Sequence, residues 1–221
     1  MGAIARSASN LVTTSGVWLK AGVNNDSFDN VTALPSSFAD GITLISSQTA
    51  SSSASISFTS GITSTYKAYK FVFVNIHPQN DEVQFRMNFT TDGTNFNVTK
   101  TTTVFHAYHT EDGSQSSLSY SSTRDLAQST ADHVIVGAGS VLGNANDDSC
   151  SGEVILFNPS STTYVKHFIT KSFASSGEAT PFPFVNYTAG YGNTTSAITG
   201  VKFVMDSGNI DDGKIYLYGI K

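Results

Sequence analysis

The strictest pattern along the chain runs from Glu82 to Phe89, where polar and apolar residues alternate without exception. Val83, Phe85, Met87 and Phe89 fall on one side, and Glu82, Gln84, Arg86 and Asn88 on the other. A strand sends successive side chains to opposite faces, whereas a helix would scatter these two sets around its axis. The pattern therefore predicts a half-buried strand, ended by a hairpin-type turn at Thr91, Asp92, Gly93 and Thr94. Shorter extended segments are predicted at 43–45, 54–58, 69–76, 104–108, 118–120, 134–136, 153–157, 164–169, 184–187, 200–205 and 214–218. Two stretches, 71–74 and 154–157, are apolar on both faces and are expected in the middle of a sheet. Nine to eleven strands separated by turn signals predict an all-β fold, a two-sheet β-sandwich over residues 41–221. No heptad or tandem repeat is found, which argues against a coiled-coil shaft or a solenoid.

Residues 1–40 differ. No period of 2 or 3.6 runs through them, yet they carry Val17, Trp18, Leu19, Phe28 and Phe38, too many apolar side chains for a plain linker. They read as an extended N-terminal arm that serves attachment or oligomerisation, with Val17, Trp18, Leu19 and Phe28 as its assembly anchor.

Composition supports strands. Charged residues make up 13% of the 221, about half the usual share, and roughly a quarter of the chain is Ser plus Thr. The 15 Phe and 9 Tyr supply a core without metals or disulfides. A net charge of −5 with 12 scattered Lys and Arg argues against nucleic acid as a partner. No ~20-residue apolar run is present, so no membrane insertion is expected. No signal-peptide pattern follows Arg6, and Cys150 is the single cysteine, so synthesis in a reducing cytoplasm is expected.

The candidate chemistry is thin. His106 and His109 sit three apart on a predicted strand, hence on opposite faces, where they cannot share an ion. The acidic loops at 144–148 and 206–212 lack calcium-loop spacing and read as turn chemistry. No Gly-x-Ser-x-Gly phrase and no paired carboxylates stand out, so catalytic residues, cofactors and metals are all expected to be none. Aromatic side chains are the remaining candidates. Tyr187 and Tyr191, near Phe182 and Phe184 in a stretch read as loop-rich, are candidate glycan contacts, with core packing as the ordinary alternative.

Several phrases together bear a family likeness. They are the ending Ser207 to Lys221 with Leu217, Tyr218, Gly219 and Ile220, the phrase Phe157 to Phe168, the opening strands 54–62 and 66–71, and the segment 85–96. The ensemble resembles virion structural proteins of marine tailed bacteriophages, of the tail-fibre, tail-appendage or capsid-decoration kind. The resemblance implies a jelly-roll-like sandwich and a non-enzymatic role in virion assembly. It also implies other virion proteins as partners, a homo-oligomer, and release from the host cytoplasm without a signal peptide. The alternative it leaves open is a module that binds host surface glycan during adsorption.

The arm generates a prediction. Trp is enriched at interface hot spots, where truncation costs more than ~2 kcal/mol. Deleting residues 1–38, or making Trp18→Ala, is expected to leave a folded, soluble product with little change in thermal midpoint that fails to enter particles. Unfolding of the body on deletion would show instead that the arm belongs to its core.

Overall fold

The computed structural model describes residues 41–137, 142–176 and 182–221. Twelve strands and no helix occur among them: β1 (Ile42–Thr49), β2 (Ile56–Phe58), β3 (Ala68–Pro78), β4 (Phe85–Thr90), β5 (Lys100–His109) and β6 (Ser116–Tyr120), followed by β7 (His133–Val136), β8 (Cys150–Phe157), β9 (Lys166–Ser175), β10 (Pro183–Gly192), β11 (Gly200–Met205) and β12 (Ile210–Ile220). Each predicted extended segment overlaps one of these strands, and their number is one above the upper count expected. The anchor residues Val17, Trp18, Leu19 and Phe28 lie outside the described residues.

The fold is an all-β, two-sheet sandwich. One sheet has eight strands in the order β1-β12-β3-β8-β9-β10-β5-β6, and the other has four in the order β2-β11-β4-β7. Four of the pairings are nested, β1 with β12, β2 with β11, β3 with β8 and β4 with β7. The chain changes sheet at every step from β1 to β5, and again between β6 and β7, β7 and β8, β10 and β11, and β11 and β12. Two further pairs of strands, β5–β6 and β9–β10, interrupt this nested plan and lie together as an extension of the larger sheet. As expected from their apolar runs, β3 and β8 are central and pair with each other.

One local pairing differs from expectation. The turn with Gly93 (φ 81°) does not fold β4 back on β5. It carries the chain across to the large sheet, while β4 pairs with β11 and β7. Nor do β11 and β12 form a hairpin, because they belong to opposite sheets. Val201, Phe203 and Met205 of β11 and Ile215 and Leu217 of β12 are nonetheless all buried. They meet the core from its two sides. By contrast, β8 and β9 do form an antiparallel pair, joined through a turn in which Ser161 N–H donates to the Asn158 carbonyl at 3.1 Å.

The core is aromatic. Phe71 of β3 meets Phe58 of β2 and Phe203 of β11 at ring separations of 5.4 and 5.5 Å. Phe73 of β3 meets Phe85 of β4 at 5.4 Å, and Phe168 of β9 meets Phe89 of β4 at 5.1 Å. Each pair joins one sheet to the other. Val83, Phe85, Met87 and Phe89 are all buried, as their alternation required. Near the chain end, a Cβ on Gly219 would come within 2.3–2.5 Å of the Tyr66 ring, so the Leu-Tyr-Gly-Ile ending needs its glycine for close packing.

Beneath the extension the interior becomes polar. Thr170, Ser172, Asn186 and Thr188 point inward from β9 and β10, opposite His133 and Ile135 of β7. His133 is fully buried, edges the Phe168 ring at 5.7 Å, and has no hydrogen-bond partner for either ring nitrogen among the described residues. At the edge of this layer the Lys100 ammonium donates to Asn88 Oδ1 at 2.5 Å and to the Val98 carbonyl at 2.7 Å. Asn88 in turn donates to the Thr130 carbonyl and to Asp132 Oδ1 at 3.0 and 2.7 Å, so its buried amide is satisfied.

Burial, and then the nearby Lys100 cation, push the His133 pKa down to about 3. Below pH ~6.5 the unfolded chain takes up a proton at this residue that the fold refuses until pH about 3. Stability is therefore present in full above pH ~6.5 and declines as pH falls, by up to ~1.4 kcal/mol per pH unit. His106, also shifted down, adds in the same direction. Urea melts from pH 7 to 4 should show this slope, and His133→Leu should flatten it. An unchanged slope in the variant would exclude His133 as its source.

Candidate functional site

Directly opposed residues in a sheet share a face, so the register of the extension can be read outward across its strands. One outer row runs Lys171, Tyr187, Phe105, Tyr120 across β9, β10, β5 and β6. The adjacent row runs Phe173, Val185, Ala107, Leu118. Phe105, Phe173 and Tyr120 are 44%, 48% and 56% exposed, and Leu118 is 72% exposed, with Ile169 beside them at 42%. Large apolar side chains left this open in neighbouring rows mark an interaction surface rather than scattered exposure.

The face has internal order. Phe105 and Tyr187 stack with ring centres 5.2 Å apart and planes 13° from parallel. The Lys171 ammonium lies 5.0 Å from the Phe173 ring centre and 5.6 Å from that of Tyr187. These cation–π contacts set the Lys171 charge against the aromatic rows, with Glu153 of β8 opposite it in register. The Tyr120 hydroxyl donates to Asp125 Oδ2 at 2.5 Å, which orients its ring.

Tyr191 lies farther along β10 on the same outer face, beside a small polar group. Gln128 Nε2 donates to the Tyr191 hydroxyl at 3.4 Å and to Thr101 Oγ1 at 2.7 Å, and Asn193 Nδ2 donates to Gln128 Oε1 at 2.7 Å. At the opposite end of the face a shallow concavity of about 890 Å³ opens, lined by Ala107, His109, Glu111, Ser151, Phe173 and Val185.

Tyr187 and Tyr191 are thus on one face, as candidate contacts should be, but on a regular strand and not in a loop. The supposed neighbours separate from them. Phe184 points to the opposite face, where Phe182 packs on Tyr108 with ring centres 5.1 Å apart. Gly190 and Gly192 give the second half of β10 the composition of a loop, which is why only 184–187 of this ten-residue strand reads as extended in the sequence. The residues that complete the face carried only a weak signal: Phe105, Lys171 and Phe173 occupy the outward phase of strands whose inward phase is also partly apolar, and Leu118 stands between serines in a five-residue strand.

His106 and His109 lie on opposite faces of β5. His106 Nε2 is 3.3 Å from Ser119 Oγ, and His109 lines the concavity. In the acidic loop at 206–212, Asp206 accepts from the Gln84 N–H at 2.8 Å and from Arg86 Nη2 at 3.0 Å, so it pins β4. Among the described residues no three His, Cys, Asp or Glu side chains gather as a metal site would require. Cys150 is buried, and burial pushes its thiol pKa up, which leaves it unreactive. No helix among the described residues is long and apolar enough to cross a membrane.

No protein-family model, no curated protein and no solved structure matches the chain.

The two aromatic environments predict different mutational costs. Phe203→Ala opens a cavity in the closed core and should cost about 3–5 kcal/mol in urea denaturation. Phe105→Ala removes one half-exposed ring from a stacked pair and should cost about 0.5–1.5 kcal/mol. Equal losses for the two variants would mean that the outer face is not a free surface in solution.

Proposed function

We propose that the chain is a non-catalytic structural subunit of a tailed-bacteriophage particle, in a tail fibre or appendage or on the capsid surface, and that its outer aromatic face is where it meets its surroundings. The observation that carries this reading is the exposed row pair Lys171–Tyr187–Phe105–Tyr120 and Phe173–Val185–Ala107–Leu118. In a subunit that works alone such a face would cost solubility; in an assembled particle a neighbour covers it.

The strand order supports the finer, jelly-roll reading. Nested pairs β1–β12, β2–β11, β3–β8 and β4–β7, divided alternately between two sheets, are what an antiparallel ribbon of eight strands produces when it is rolled up. Particle subunits and lectins both use this architecture, so fold alone does not choose between them. The phrases that resemble those of phage virion proteins favour the particle.

A second reading, recognition of host surface glycan, is favoured by one feature. The stacked Phe105–Tyr187 pair is flanked by Lys171, and on the same face Tyr191 adjoins the amides of Gln128 and Asn193. Flat rings beside amide donors suit a sugar ring, which has apolar faces and hydroxyl edges.

Particles assembled with the Phe105→Ser/Phe173→Ser chain test the first reading: uptake should fall at least ~10-fold while the purified chain stays folded. Normal uptake excludes the face as the assembly surface. In the second reading, the wild-type chain binds on a glycan array and Tyr187→Ala loses that signal. Release of new reducing ends from host polysaccharide would overturn the non-catalytic assignment.

A further inference from the structure

The large sheet ends at β6, and the hydrogen-bond phase of the β5–β6 pair shows what that edge offers. Ser121 N–H donates to the Val104 carbonyl at 2.8 Å, and Thr110 N–H donates to the Gln115 carbonyl at 2.9 Å. Antiparallel pairs alternate between bonded and non-bonded positions. With the register Phe105↔Tyr120 to His109↔Ser116, the bonded positions of β6 are Ser117 and Ser119. The N–H and C=O groups of Ser116, Leu118 and Tyr120 therefore all point away from β5. Among the described residues they have no partner.

Natural edges are usually blocked by Lys, Pro, a bulge or an inward charge. The strand Ser116–Tyr120 has none of these: its sequence is SSLSY and its register with β5 is unbroken. The residues whose backbone points outward also carry the most open side chains of the apolar face, Leu118 at 72% and Tyr120 at 56% exposed. Backbone valence and apolar surface thus run out at the same three residues.

We infer that β6 is a homophilic edge, which pairs antiparallel with β6 of a second copy about a two-fold axis through Leu118. In this register Leu118 faces Leu118 of the second copy, and Ser116 faces its Tyr120. Every outward N–H and C=O of the three residues gains a partner. No charged residue meets a like charge, since the strand has none. A two-fold axis normal to the sheet keeps the outer faces on one side. The row from Phe173 to Leu118 then continues into the same row of the second copy, and two eight-stranded sheets become one. An uncharged, self-complementary edge is the argument for a second copy rather than an unrelated partner. The inference deepens the assembly reading by naming the contact and its register.

The experiment uses the full chain in analytical ultracentrifugation across a concentration series, with circular dichroism as the check on folding. Wild type should form dimers, and Leu118→Lys, which sets two ammonium groups against each other at the axis, should weaken self-association at least ~10-fold with its spectrum unchanged. Register is tested by oxidative cross-linking, to which the buried Cys150 contributes no accessible thiol. Leu118→Cys should link to its own copy. Ser116→Cys alone should not, whereas Ser116→Cys mixed with Tyr120→Cys should. A monomer at every concentration overturns the inference. So does a dimer that survives Leu118→Lys but is lost with Phe173→Ser or on deletion of residues 1–40, since the copies then meet through the face or the N-terminal segment. Either result leaves the assembly reading to its own test, uptake into particles.

Discussion

Everything in this fold depends on the aromatic contact between the two sheets. Backbone hydrogen bonds hold strands within a sheet, but the sheets are held to each other chiefly by side chains, and the decisive ones are phenylalanines. Phe71 and Phe73 of β3 reach across to Phe58, Phe203 and Phe85, while Phe168 of β9 reaches Phe89. Each such ring, fully buried, contributes roughly 1.5–3 kcal/mol by removal from water, with a further increment for edge-to-face geometry. Because β3 and β4 both supply rings, these two consecutive strands of opposite sheets clamp the sandwich shut.

The two inserted strand pairs change the character of the molecule. The nested eight-strand plan buries its apolar surface between sheets of matching width, whereas the extension β9–β10–β5–β6 widens only one of them. Its inner face meets β7, and there phenylalanine gives way to threonine, serine, asparagine and histidine. Its outer face collects the rings that a closed sandwich would have turned inward. An interior layer of polar residues beneath an exterior layer of exposed aromatics inverts the usual distribution. That inversion is the physical reason for placing function on this face.

Buried polar residues in the extension fall into two groups. Asn88 and Lys100 form a connected network through Asp132, the Val98 and Thr130 carbonyls and, at 3.8 Å from Asp132, the Lys202 ammonium. This network ties β4, β5 and β11 to the segment ahead of β7, and burial lowers the Lys100 pKa to about 8. His133, Thr170, Asn186 and Thr188 instead retain polar atoms without partners among the described residues. The first group stiffens the junction between the sheets; in the second, His133 makes the fold sensitive to acid.

Residue pattern alone placed all twelve strands and the buried side of each well-alternating one, because burial of one face imposes a two-residue period on any strand. It also placed β3 and β8 at the centre of their sheet, although only one phase of each is buried and Val74 and Phe157 stay exposed on the outer face. Pattern could not say which sheet a strand joins. The phase of Val201, Phe203 and Met205 is the same whether β12 folds back beside β11 or crosses the core to face it. The choice rests on contacts between residues far apart in the chain, such as Phe71 with Phe203. The candidate site was legible in the same partial way. Tyr187 and Tyr191 were chosen for being aromatic, and they do share a face. The side chains around them come from three other strands, which only the register of β9, β10, β5 and β6 brings into adjacent rows. Side-chain periodicity is a local property of one strand, whereas a surface built across a sheet is a property of its hydrogen-bond order.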